Sequence, residues 1–158
     1  MALKTILVHL ADDADHIARL KTAKTLAKQH GAHLTALFIS RPMDLPPLIS
    51  GRGASIAYAR EAQARAEEKA KALEAEFGQH CQASGLSHDW IVEDKEHLEA
   101  LTEHAHAADL VIVSRGQNQH LEDRVRMRLA EELVMITGLP ILVLPTGYTP
   151  APLGKRIL

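Results

Sequence analysis

The stretch Asp109-Leu-Val-Ile-Val-Ser-Arg-Gly-Gln-Asn-Gln-His-Leu-Glu-Asp-Arg-Val125 begins as an apolar run, turns at one glycine and continues into charged residues. The run Asp109–Val113 is typical of a parallel strand that is covered on both faces. A strand that passes through a glycine turn into a helix predicts one unit of an α/β fold. Because many α/β proteins hold a phosphate at this connection, the same stretch also raises the question of a ligand.

The rest of the chain repeats this alternation of strand and helix. Further short apolar runs predict strands at Ile6–Leu10, His33–Ile39, His88–Glu93 and Ile141–Leu144. Helices are predicted between them: one that follows Asp15 and ends before Gly31, then Ser55–Phe77, Lys95–Ala107 and a last one from about Leu121 to Gly138. This alternation predicts the α/β class, with one open parallel sheet, right-handed crossovers and helices on both faces.

Three of the predicted helices carry apolar stripes at spacings of three and four residues, which predict the faces that pack on the sheet. The stripe of the first helix is Ile17, Leu20, Ala23 and Ala27. That of the second is Ile56, Ala59, Ala62, Ala66, Ala70, Leu73 and Phe77, and that of the last is Leu121, Val125, Leu129, Leu133 and Ile136. The segment Arg41–Gly53 contains several prolines and glycines and is predicted to be a loop.

Composition narrows the classes of function. The chain has 158 residues, which fits one domain, and a formal net charge of −2, which argues against a nucleic-acid or membrane-surface partner. Cys81 is the single cysteine, so a reducing compartment is expected. No apolar stretch reaches the ~20 residues that span a bilayer, and the N-terminus lacks the long apolar region of a signal peptide. A cytoplasmic location is therefore expected.

If the first strand is central, any ligand would lie beyond the carboxyl ends of the strands, where open parallel sheets bind ligands at a reversal of strand order. The candidate segments are Leu10–Asp13, Ile39–Arg41 and Ser114–Gln119. Ser114, Gly116 and Asn118 can donate hydrogen bonds to a phosphate beside the start of the last helix. However, Glu122 and Asp123 place anions there, which better suits the dipole of an empty helix start. Since one glycine after a strand is a weak signal, both interpretations stay open.

Metal and nucleophile chemistry find little support in the sequence. The chain has ten histidines, but His104 and His106 lie two apart on a predicted helix and no His-x-x-x-His pair occurs, so scattered histidines are favoured over a metal site. Cys81 has no cationic neighbour in sequence except His80, which favours an inert thiol. Ser114 lacks the Gly-x-Ser-x-Gly turn that exposes a serine nucleophile. We therefore predict no catalytic residue and no enzyme.

Three segments together resemble the universal stress protein family. They are Lys4-Thr-Ile-Leu-Val8, Ala108-Asp-Leu-Val-Ile-Val113 and Glu131-Glu-Leu-Val-Met-Ile-Thr-Gly-Leu-Pro-Ile-Leu-Val-Leu-Pro145. The resemblance implies a Rossmann-like domain over residues 1–146, of the adenine-nucleotide hydrolase type, with strand order 3-2-1-4-5. It also implies a non-enzymatic role in stress survival and dimerisation, commonly through the last strand. Pairing there would protect the edge Ile141–Leu144.

The family's ATP-binding pattern is only partly present. Members that bind ATP carry Gly, two residues, Gly, nine residues, Gly and then Ser or Thr. Starting at Gly116, the later positions hold Gln119, Leu129 and Ala130. The side chains of Gln119 and Leu129 would block the close backbone approach that glycine permits. The family's Asp after the first strand is replaced by Ala11, with Asp12 one step later. The resemblance thus implies a degenerate loop with no cofactor.

Two alternatives remain. In the first, the domain binds ATP or AMP, with at most slow hydrolysis, through Asp12, Ile39, Ser114, Gly116 and Asn118. The second is an enzyme of the related nucleotide-hydrolase superfamily, such as an ATP-dependent ligase subunit. It would need a Ser-Gly-Gly-x-Asp-Ser-like loop after the first strand, and Leu10-Ala-Asp-Asp-Ala-Asp15 does not supply one.

Residues 147–158 carry a weak internal repeat. Leu3-Lys-Thr-Ile-Leu7 returns as Gly154-Lys-Arg-Ile-Leu158 after a segment with three prolines and one glycine. One interpretation is a linker and the start of a second, similar domain, as in tandem members of the family. The other is an ordinary chain end. The expected partner is accordingly a second copy of the chain or a second tandem domain.

Overall fold

The computed structural model describes residues 2–11, 13–40, 52–115, 121–151 and 153, without the side chains of 52–59, 62 and 121–127. Within these residues, five parallel strands form one sheet in the order β3-β2-β1-β4-β5. The strands are β1 (Thr5–Leu10), β2 (His33–Ile39), β3 (His88–Glu93), β4 (Leu110–Ser114) and β5 (Ile141–Leu144). The helices are α1 (His16–His30), α2 (Arg52–Gln82), α3 (His97–Ala105) and α4 (Leu121–Thr137). The predicted fold class and strand order are confirmed.

Helices cover both faces of the sheet, and the alternation of side chains along β1 shows why. Successive residues of a strand point to opposite faces. Ile6, Val8 and Leu10 therefore pack into a core with residues of α1 and α2, whereas Leu7 packs into a second core with residues of α3 and α4. All four side chains are almost completely buried. A strand covered on both faces reads as a continuous apolar run, as β1 does.

The second helix is longer than predicted at both ends. It begins at Arg52, inside the segment predicted to be a loop, and it continues past Gly78 to Gln82. Phe77 and Cys81, on either side of this glycine, are both buried in the core below the helix. This burial outweighs the roughly 1 kcal/mol that a glycine costs inside a helix. The rest of the predicted loop, residues 41–51, lies outside the described residues.

The indole of Trp90 on β3 lies beneath this helix. It stacks on Phe38 with ring centroids 6.1 Å apart and meets Phe77 of α2 at 5.7 Å. Together these rings form the contact between α2 and the outer half of the sheet. The predicted stripe positions Ala70 and Leu73 are buried in the same region.

Two predicted stripe positions are wrong. Ile17 is 46% exposed and Ile136 is 56% exposed, although both were predicted to face the core. In α1 the inward positions are instead taken by Arg19 and Thr22, beside Leu20, Ala23 and Ala27. The stripe positions Ile56, Ala59, Ala62, Leu121 and Val125 lie outside the described side chains.

The third helix is shorter than predicted. It covers His97–Ala105, because the carboxylate of Glu96 accepts a hydrogen bond from the Leu98 amide and so caps the helix at that point.

Asp109 fastens the start of β4 to the start of β1. Its Oδ2 accepts hydrogen bonds from the amides of Lys4 at 2.6 Å and Thr5 at 3.0 Å. Its own amide donates to the Thr5 carbonyl at 2.9 Å. The two backbone hydrogen bonds from Lys4 and Thr5 lower the pKa of the Asp109 carboxyl. The ionised form is therefore the one that the folded state prefers.

We expect Asp109→Ala to lower the thermal unfolding midpoint at neutral pH and to flatten its dependence on pH in acid. A carboxyl whose pKa is lowered by folding stabilises above its unfolded pKa, and this contribution is lost as pH falls through the folded pKa. Thermal unfolding from neutral pH into acid checks this. Asp94→Ala, which removes an exposed carboxylate between β3 and α3, is the matched control. Equal pH profiles for the two variants would contradict the assignment.

Candidate functional site

The strand order reverses at β1, which pairs with β2 on one side and with β4 on the other. The crevice beyond the carboxyl ends of β1 and β4 is where this class of sheet binds ligands. In the described residues it is bordered by Ala11, by residues 13–15 and by Ser114 and Arg115. Three of the predicted site residues, Asp12, Gly116 and Asn118, lie outside the described residues. Ser114 is the last residue of β4 and lies at this crevice.

A buried arginine occupies the crevice. Arg19 of α1 is only 1% exposed. Its Nη1 donates to the Ser114 hydroxyl oxygen at 2.5 Å, and its Nη2 donates to Oδ2 of Asp13 at 2.8 Å. The guanidinium therefore joins the connection between β1 and α1 to the end of β4.

Asp13 is itself held in position by its neighbours. Its Oδ1 accepts a hydrogen bond from the amide of Asp15 at 2.9 Å, and its amide donates to the carbonyl of Ala11 at 2.9 Å. The side chain of Asp13 is 13% exposed. Because turn and carboxylate are both fixed, the ion pair with Arg19 is formed before any ligand arrives.

The chain that follows β5 crosses the same edge. We call residues 145–151 the C-terminal segment. The Thr146 hydroxyl donates to the carbonyl of Arg115 at 2.9 Å, and the amide of Gly147 donates to Oδ1 of Asp15 at 2.9 Å. Gly147 adopts φ of 69°, a left-handed conformation that glycine reaches without steric cost. These bonds attach the C-terminal segment to the start of α1.

Arg19 and Asp13 form an internal ion pair at this crevice. A buried cation is stable only when it is paired, and Asp13 supplies the compensating charge. The Nε of Arg19 is buried and has no hydrogen-bond partner among the described residues, so the pair is not fully satisfied.

Other predicted residues of the nucleotide pattern lie in the core. Ile39 is 6% exposed and packs with Leu7 and residues of α3. Leu129, at the position of a pattern glycine, is also 6% exposed and packs into the same core. Neither side chain lies at the Arg19 ion pair. The structure therefore brings Ser114 to the crevice but directs Ile39 to the opposite side of the sheet.

The sequence reasoning missed Arg19. The sequence does contain a signal for it. Arg19 is a cation that directly precedes Leu20 and lies four residues before Ala23, both on the apolar stripe. It also follows Asp13 by six residues. Arginine is rarely fully buried unless it is paired. An inward position on α1 together with a nearby aspartate therefore indicates an internal ion pair.

The remaining candidate groups do not form a second reactive centre in the part of the chain that the structure describes. Cys81 is buried, and burial raises the pKa of its thiol, against a smaller opposing effect of Lys24. No group of three potential metal ligands occurs among these residues. His9 and His97 are both buried and meet edge to face, with ring centroids 6.0 Å apart. Over the same residues, no helix has the length and apolarity to cross a bilayer.

A sequence model described as the universal stress protein family matches residues 2–145. The chain belongs to the universal stress protein family. This membership, together with the sheet order, confirms the resemblance seen in the sequence. No match was found among curated protein sequences.

Solved structures of universal stress proteins share the fold. UspA from Lactobacillus plantarum has a TM-score of 0.73 at 16% identity, over 91% of this chain and 99% of that one. A family member from Burkholderia pseudomallei has a TM-score of 0.58 at 19% identity, over 90% and 96% of the two chains. A universal stress protein in complex with cAMP has a TM-score of 0.58 at 16% identity, over 91% and 98%.

We expect Asp13→Ala to destabilise this universal stress protein domain more than Arg19→Met does. Loss of Asp13 leaves a buried cation without its counter-charge, which costs about 3 kcal/mol. Loss of Arg19 leaves a carboxylate that is partly exposed and still bonded to the Asp15 amide, so about 1 kcal/mol is expected. Urea unfolding of both variants measures the two free energies.

The double variant Asp13→Ala/Arg19→Met provides the internal control. Because it removes both charges together, it should be more stable than Asp13→Ala alone. Additive losses in the double variant would mean that the two side chains act independently, against the ion pair described above.

Proposed function

We propose that this domain is a non-enzymatic regulatory module of the stress response, in which Arg19 takes the place of a bound nucleotide. The observation that carries the proposal is the buried bridge from Asp13 through Arg19 to Ser114. In this proposal the signal passes through contacts with a partner protein and not through turnover of a substrate. A cytoplasmic location and a loop that is degenerate for ATP belong to the same proposal.

The charges at the crevice support the absence of a nucleotide. Both Nη atoms of Arg19 already donate to protein groups, so a phosphate gains contacts only by breaking them. Once Arg19 had moved, the Asp13 carboxylate would repel the phosphate across a short distance in a partly buried setting. Leu129, where the family pattern has a glycine, is buried in the core.

The described side chains also offer no activated nucleophile. The Ser114 hydroxyl accepts from Arg19, which is a cation and cannot act as its general base. Cys81 is buried, and its raised pKa keeps the thiol protonated. A non-enzymatic role therefore fits the chemistry that these residues can perform.

Adenine-nucleotide binding is the second candidate. The observation in its favour is the similar universal stress protein that was solved with cAMP. In this chain the ligand would contact Asp12, Ile39, Ser114, Gly116 and Asn118, with ATP or AMP as the nucleotides to test. It requires that Arg19 give up its bonds to Asp13 and Ser114.

Calorimetric titration of ATP, AMP and cAMP into the purified domain separates the two candidates. We expect no saturable heat with any of the three, because in this proposal the internal ion pair takes the place of the phosphate. A nucleotide-binding member of the family run under the same conditions serves as the positive control. Micromolar binding that is lost in Ser114→Ala, or release of phosphate from ATP, would replace the first proposal by the second.

The partner surface that we propose is the edge formed by β5 and the end of α4. Val143 on the outer strand is 39% exposed, and Val134, Met135 and Ile136 are 42%, 83% and 56% exposed. An unpaired edge strand next to an apolar surface favours association with another chain. We propose a homodimer through this edge, in line with the dimerisation that the family resemblance implies.

Pairing with a second tandem domain through the same edge is the alternative. The domain boundary at residue 146 stays a prediction.

Val143→Lys should convert the dimer to a monomer, because it places a charge at the centre of the proposed contact. Light scattering coupled to gel filtration at tens of micromolar measures the mass. Val92→Lys is the matched control, since Val92 lies on β3 at the opposite edge of the sheet and is 46% exposed. A wild-type monomer, or equal behaviour of the two variants, would contradict the proposed interface.

A further inference from the structure

Two adjoining depressions lie along α1, away from the Arg19 crevice. The first, here the lysine depression, has a volume of about 350 Å³ and is lined by Lys21, Lys24, Lys28, Ser84, Leu86 and Pro150. The second, here the apolar depression, has a volume of about 230 Å³ and includes Leu26, Ala151 and Leu153. They meet at Thr25 and Pro150, which line both. Ser84 and Leu86 directly precede β3, so the lysine depression lies towards the amino ends of the strands.

The lysines of the first depression form one row on α1. Their spacing of three and then four residues places them on the same helix face. Among the described residues, no carboxylate lies within 4.0 Å of any of the three ammonium groups. Lys24 is only partly exposed, and its charge reaches the buried Cys81 thiol, where it opposes the rise in pKa that burial causes. The lysine depression is therefore positively charged, and this includes the partly buried side of it that Lys24 lines.

The dipole of α1 explains the position of only one of these three lysines. Lys28 lies in the last turn of α1, where a cation offsets the partial negative charge of the helix end. Lys21 and Lys24 lie one to two turns earlier, where this effect has faded. Like charges at these spacings repel each other and destabilise a helix. An anion held between the three lysines would remove that repulsion.

The wall opposite α1 is held in place by the C-terminal segment. Gly147 is bonded to Asp15, and Tyr148 packs against the core beneath α1. The Tyr148 hydroxyl also accepts a hydrogen bond from the Ala151 amide at 3.3 Å. Pro150 and Ala151 are thus positioned before a ligand binds, which reduces the ordering cost of binding.

We propose that the two depressions together bind a small soluble phosphate monoester with an apolar body. The phosphate lies between the ammonium groups of Lys21, Lys24 and Lys28, and the apolar body lies against Leu26, Ala151 and Leu153. A doubly charged head matches a row of three lysines, and ammonium groups bind phosphate as point charges. This site does not depend on the function proposed for the Arg19 crevice.

Nuclear magnetic resonance titrations with octyl phosphate, inorganic phosphate and octanol test the site. We expect octyl phosphate to bind most tightly and to shift the amide signals of Lys24, Ser84 and Ala151 without shifting that of Val143. Lys24→Gln should weaken the binding of octyl phosphate about threefold to fivefold. Lys71→Gln, which removes an exposed lysine of α2, is the matched control and should bind like the wild type.

A second variant separates the head from the body of the ligand. Leu153→Ser should weaken octyl phosphate and leave inorganic phosphate unchanged, because Leu153 lines only the apolar depression. Preserved amide signal dispersion shows that each variant is folded. Equal affinity in Lys24→Gln and Lys71→Gln, or equal binding of octanol and octyl phosphate, would overturn the proposal. So would lysine-dependent sedimentation with phosphatidylglycerol vesicles without binding of monomeric octyl phosphate, since the partner would then be a lipid surface.

Discussion

A buried guanidinium has to be paired, and this requirement organises the carboxyl edge of the sheet. Arg19 reaches Asp13 in the connection after β1 and Ser114 at the end of β4, the two strands between which the order reverses. Leaving a charge unpaired in this apolar setting costs several kcal/mol. The two elements are therefore fixed relative to each other by the chain's own charges, at the place where other sheets of this class hold a ligand.

Most of the fold could be predicted from the sequence because its signals are local. A strand buried on both faces has to be apolar along its length, and β1 and β4 show this directly. Helix ends are less predictable, because a residue that locally favours a helix end, such as glycine, competes with the burial of apolar side chains beyond it. Gly78 suggests an end for α2, yet the burial of Phe77 and Cys81 carries the helix past it. Ile17 is apolar by type but exposed, since Arg19 takes the inward position close to it.

The candidate site was predictable only in part. The position of Ser114 follows from the end of a strand, and the substitution of a pattern glycine by Leu129 is visible in the sequence. The role of Arg19 is not, because an arginine on a helix is usually solvated and its partner Ser114 is 95 residues away. Such a pair is recognised only when the strand order is known. The same holds for the depressions along α1, whose far wall comes from residues that follow β5.

The bonds that close the crevice join residues far apart along the chain. The Arg19 bond to Ser114 spans 95 residues, and the Gly147 bond to Asp15 spans 132. Closing contacts of such long range costs loop-closure entropy, which grows with the length of chain between the two residues. During synthesis the first strands and α1 therefore leave the ribosome with Arg19 and Asp13 already present but Ser114 missing. Until β4 is made, the Arg19 guanidinium and the Asp13 carboxylate stay hydrated, and the buried bridge to Ser114 can close only after that residue has been added to the chain.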